Sequence, residues 1–250
     1  MIKGFNQYIT ENFKDTPKTS KYASDVIKIV RKHNDLNKSY TEFRDLEYYD
    51  DFSFDLIIQV KKDDSPNFEK DEHFNDLQWE EINFKKYGFA MDANTYINKS
   101  DLIIPEIIIT LIINPTREPD LYTELEFKLV DIIMHELNHT NQVGWNREPF
   151  NVRPSSGSDR DIANNSFKYF NLPDEIESMV IGMYERTKTE DIELDELFDK
   201  YLIPFVLDGK LSNSEYEKVF DIWLRHALEN YPDVKLNMSD PRVSKIVKSI

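Results

Sequence analysis

Five residues, His135-Glu136-Leu137-Asn138-His139, close an apolar run whose spacing strongly favours one backbone conformation. Leu121, Leu125, Leu129, Ile132 and Ile133 recur every three to four positions, which predicts a helix from about residue 120. Side chains four apart on a helix stand one above the other, so both imidazoles can reach one tetrahedral metal. Glu136 then flanks that metal, where a carboxylate can take a proton from water. This placement predicts metal-dependent peptide-bond hydrolysis.

Composition narrows the metal chemistry. The chain has no cysteine, so thiolate zinc sites, disulfide scaffolds and Cys nucleophiles are excluded and a zinc site must use His and carboxylate. A net charge of −16 argues against nucleic acid or an anionic membrane as partner, because both reward a basic stripe. With 40% hydrophobic residues, 250 residues can bury a sizeable core. The first ten residues lack an apolar run of signal-peptide length, and the apolar stretch at 102–113 is short and interrupted by Pro105 and Glu106. The expectation is an intracellular protein without a membrane span.

Along the chain the pattern is α+β. Residues 1–18 form a polar appendage closed by Pro17, and 19 to about 34 read as a helix with Tyr22, Val26, Ile29 and Val30 on one stripe. His33 at its end suits the helix dipole, and His73 has no partner at ligand spacing, so neither is a candidate ligand. Strands are expected at 52–60, 87–97 and 107–113, the last apolar on both faces, with one short helix between 67 and 84. A sheet directly before the metal-binding helix suits a peptidase, because an extended substrate can add to a sheet edge. Val143-Gly144 predicts the end of that helix. Residues 145–170 are loop-like, a candidate lid. Helices follow at about 173–186, 191–205, 212–230 and 240–250. The reading is a single domain over 19–250: sheet and active-site helix to 144, loop to 170, then a helical half.

A catalytic zinc needs three protein ligands and an open position. Leu172-Pro173 opens a helix carrying Glu175 and Glu177. Glu175 shares its face with Ser178 and Gly182, small residues that permit close approach, whereas Glu177 shares its face with Val180, Ile181 and Tyr184. Glu175 fits a ligand better; Glu177 stays as the alternative, since a buried carboxylate needs a charged partner. Tyr184, Arg225 and His226 are the candidates for stabilising an oxyanion.

His135-Glu136-x-x-His139 with Glu175-Ile-Glu-Ser178 some 36 residues on resembles the gluzincin metallopeptidases, whose third ligand is a Glu on a second helix. The stretch from about 105 to 185 also looks like zinc peptidases of T-even-type tailed phages and, distantly, the ImmA/IrrE peptidases. The resemblance implies a zincin-like fold, Zn2+ on His135, His139 and Glu175, Glu136 as general base, and a protein or peptide substrate. Ser178 stands where Ala is usual and Met179 where an aspartate would support His135; Asp131, one turn earlier, is the nearest substitute. Residues 1–11 resemble a phage capsid-targeting sequence, with Ile9-Thr10-Glu11 as the cleavage signal. That implies a protein of the host cytoplasm or the capsid interior. The competing reading is a non-enzymatic virion or host-interaction protein, its zinc structural or absent.

Overall fold

The computed structural model describes residues 17–32, 38–49, 52–67, 77–96, 105–117, 121–142 and 165–250. The targeting segment, residues 145–164 of the candidate lid at 145–170, the helix stop at Val143-Gly144, and His33 and His73 lie outside these residues. The fold is α+β. The chain divides into two compact units: a sheet unit over 17–140, and a helical unit described over 165–250.

In the sheet unit, α1 (Pro17–Lys32) precedes β1 (Lys38–Tyr49), β2 (Phe52–Lys62), α2 (Leu77–Tyr87), β3 (Phe89–Tyr96), β4 (Glu106–Ile113) and α3 (Leu121–Gln142). The sheet order is β1-β2-β4-β3, with β2 and β4 parallel and both outer pairings antiparallel. The register places Leu56 beside Ile107, Ile58 beside Ile109 and Val60 beside Leu111, while Met91 and Phe89 pair with Leu111 and Ile113. Paired residues share a face, so these apolar side chains, all buried, form one continuous surface. Tyr22 of α1 meets Phe54 of β2 edge-on, with ring centroids 5.6 Å apart. Each such side chain, fully buried, contributes about 1.5–3 kcal/mol.

The opposite face departs from the expectation for β4. Ile112 packs with Ala90 and Phe84 of α2, but Ile108 and Thr110 are only half-buried and the Thr110 hydroxyl donates to Gln59. Gly88, at φ 83°, turns the chain from α2 into β3; a Cβ there would stand 3.0 Å from that of Arg117.

Helix α3 lies antiparallel beside α1. Thr19 donates to the Met134 sulfur at 3.9 Å, and Arg31 sits 4.6 Å over the Tyr122 ring. The two contacts are twelve residues apart on each helix, about 18 Å of matched length.

The helical unit contains α4 (Ser166–Tyr169), α5 (Pro173–Glu190), α6 (Leu194–Leu207), α7 (Asn213–Asn230) and α8 (Pro241–Val247). Its centre is aromatic. Phe170 meets Phe205 and Trp223 edge-on at 5.0 and 5.7 Å, Phe198 meets Trp223 at 5.4 Å, and the Trp223 indole donates to the Phe170 carbonyl at 3.1 Å. Helix α8 is tied down by Arg242, which pairs with Asp199 at 2.8 Å and Asp240 at 2.6 Å and lies over Phe220. Among the described residues no helix is long and apolar enough to cross a membrane.

Candidate metal centre

Every residue from Ile133 to Asn138 is buried, so this stretch of α3 is enclosed on all sides. Apolar packing accounts for Ile133, Met134 and Leu137. It does not account for His135, Glu136 and Asn138. His135 is 8% exposed and His139 half-buried, and their rings meet edge-on at 4.6 Å with Nε2 of one 2.9 Å from Nε2 of the other. Two nitrogens bound to one tetrahedral zinc at about 2.0–2.1 Å stand about 3.3 Å apart. The pair therefore already converges to within a few tenths of an ångström of that spacing, and neutral imidazole is the commonest metal donor. The donors are of a kind that could hold a metal ion.

Glu136 is 6% exposed and held from β3. The Thr95 hydroxyl lies 2.7 Å from Glu136 Oε2 and 3.1 Å from its backbone carbonyl. Thr95 pairs with Ile107, so it stands on the buried face of the sheet near the end of an edge strand. The sequence reading missed it because threonine in a strand needs no explanation. Asp131 is half-buried, one turn before His135.

In the helical unit, Glu175 is 3% exposed and Ser178 and Gly182 are also buried, while Glu177 is half-buried. The Tyr169 hydroxyl donates to Glu175 Oε2 at 2.8 Å. Tyr169 also went unnoticed, in a stretch read as loop where the chain forms the single turn α4. Glu177 lies towards Tyr231, whose phenol is pushed well above its usual range by burial and, secondarily, by the charges of Glu177 and Glu185.

The three oxyanion candidates make local contacts. Tyr184 donates to Asp233 at 2.6 Å and stacks on Tyr231 at 4.3 Å; burial first, then Asp233, raises its phenol beyond the ordinary range. Arg225 pairs with Asp221 at 2.8 Å and also reaches the Ser249 hydroxyl. His226 is half-buried with Nδ1 3.5 Å from the Asn230 amide. No protein-family model, curated protein or solved structure matches this chain.

Proposed function

We propose that this chain is a zinc-dependent endopeptidase of gluzincin type, with a zincin-like fold and with zinc held by His135, His139 and Glu175. The observation that carries the reading is the approach of the two imidazole Nε2 atoms to 2.9 Å on a buried helix with Glu136 between them in sequence. Buried polar groups are costly, and α3 could have enclosed three more apolar residues at these positions.

Zinc at such a site supplies an acidified water and a Lewis acid for the scissile carbonyl. The protein's own part is proton handling and orientation. Glu136 accepts the proton of the attacking water on its carboxylate and returns it to the departing amine. Thr95 fixes Oε2, so the carboxylate keeps one rotamer through both transfers. Among the described residues strand β3 is an edge strand, and an edge strand can hold an extended peptide near Glu136 by strand addition. Affiliation with tailed phages, from the resemblances of about 105–185 and of residues 1–11, and packaging in the capsid, from residues 1–11, are part of the same reading.

The test is elemental analysis of the purified protein beside a labelled-casein assay. The parent should carry one zinc and cleave. Glu136→Gln should keep the zinc and lose about 10²–10⁴-fold in turnover. His139→Ala and Glu175→Gln should lose zinc, whereas Glu177→Gln should not; the reverse result for the two glutamates would move the third ligand to Glu177. A parent without zinc ends the reading. Zinc present with no difference between parent and Glu136→Gln would leave a structural metal in a non-enzymatic protein.

A further inference from the structure

Glu175 and Glu215 of the helical unit each stand third in a helix and are used differently. Ser212 caps α7, and Glu215 turns back to accept from the Ser212 backbone N–H at 2.9 Å, a reciprocal capping box. Leu172 caps α5 and offers no side-chain acceptor. Glu175 could be expected to turn back in the same way. Instead the Leu172 N–H donates to the Tyr169 carbonyl at 3.0 Å, and the Glu175 carboxylate accepts from the Tyr169 hydroxyl. One residue thus relieves Glu175 of its capping task and takes hold of its carboxylate.

Tyr169 is itself firmly placed. Asn165 caps α4 by accepting from the Lys168 N–H, Tyr169 N–H donates to the Asn165 carbonyl, and the Asn171 amide donates to the Phe167 carbonyl. The next residue, Phe170, is locked into the aromatic centre and bonded through its carbonyl to Trp223. The phenol therefore reaches Glu175, six residues on, from a backbone with little freedom. Half-buried Glu215 is spent on its own helix, whereas buried Glu175 accepts from a neutral phenol.

We infer that Tyr169 is the positioning residue for the Glu175 carboxylate, fixing Oε2 so that the group is presented to a divalent cation in one orientation. This rests on Glu175 being a metal ligand, as proposed above. Partners that orient a ligating carboxylate or imidazole typically contribute 10- to 100-fold in metal affinity.

The experiment measures zinc affinity of the full chain by competition with a chromophoric chelator, with no substrate involved. Parent, Tyr169→Phe, Glu175→Gln and the double variant are compared, each with circular dichroism matched to the parent. Tyr169→Phe should weaken zinc about tenfold, and should weaken it no further in the Glu175→Gln background. Tyr169→Trp, which restores a ring N–H donor, is the second variant and should also bind more weakly than the parent, because its donor sits elsewhere on the ring. Parental affinity in Tyr169→Phe, or an equal loss with and without Glu175, overturns the assignment while leaving the peptidase reading intact. A parent that binds no zinc removes both, and is seen before any variant is made.

Discussion

Two buried helices carry polar pairs at the same i, i+4 spacing, and the pairs are of opposite kinds. On α5, Arg186 and Glu190 approach to 2.5 Å with side chains 6% and 12% exposed, and Lys188 reaches buried Glu185 at 2.6 Å. These are opposite charges that answer one another. On α3, His135 and His139 turn like groups towards each other at 2.9 Å. A complementary pair is answered by the protein's own charges, and Lys200 of α6 joins this one at 3.3 Å from Glu190. The two imidazoles stand at hydrogen-bond distance, and on the reading proposed above a cation would take one lone pair from each. On that reading, the same spacing serves cohesion in one unit and metal binding in the other.

The comparison breaks most readily on stability. Glu190→Ala leaves the Arg186 guanidinium buried against its helix and should cost about 3 kcal/mol in denaturant unfolding, as for other broken buried pairs. His139→Ala in metal-free protein should cost far less, because no opposite charge is stranded. Equal losses would show that the histidines serve cohesion too.

Metal should reverse that ranking. Zinc at a hundredfold excess over its Kd should stabilise the parent by about 2.7 kcal/mol, and His139→Ala by nothing measurable at the same concentration. Glu190→Gln should keep the full zinc-dependent gain. Thermal unfolding with and without chelator reads all three.

A smaller effect is expected at Thr95, which holds Glu136 with a neutral hydroxyl where Lys188 holds Glu185 with a charge. Thr95→Val should cost about 1–2 kcal/mol. It should lower turnover in the casein assay without changing zinc content, and Thr95→Ser should restore turnover. Loss of zinc in Thr95→Val would mean that β3 supports the imidazoles rather than the base.

How far the sequence foretold this arrangement depends on which regularity carried the information. The helical period from Leu121 to Ile133 predicts α3, and Ser212, Pro173 and Asp240 mark helix starts that the structure places within a residue or two. β1 escaped notice because its apolar residues Tyr40, Phe43, Leu46 and Tyr49 come every third position, a spacing that fits neither strand nor helix. Register shifts between them bring those residues opposite Ile58, Leu56, Phe54 and Phe52, which alternate regularly. At the candidate site, the histidine pair and Glu136 are fixed by spacing on one helix. Thr95 and Tyr169 are not, since the first acts across 41 residues and the second through a turn too short to show a period.

The smallest expected effect is a pH dependence that separates the two polar pairs. Burial pushes Glu190 up, but the hydrogen bond and charge of Arg186, with Lys200, outweigh it and leave the carboxyl below the ordinary glutamate range. An acid with a depressed folded-state pKa stabilises the fold fully above its unfolded value, about 4.3, and loses that contribution as pH falls through the folded value. Asp240, held down chiefly by its hydrogen bond to Arg242, adds in the same direction. Asp195 opposes them, since burial raises its carboxyl despite the Asn237 N–H. Urea midpoints of the parent should therefore fall on acidification from about pH 5 to 3, and Glu190→Gln should flatten part of that slope. His139→Ala should leave it unchanged. A parental slope over this range that Glu190→Gln does not alter would show that Arg186 is answered by another acid, and that the charge pair on α5 is not the counterpart of the pair on α3.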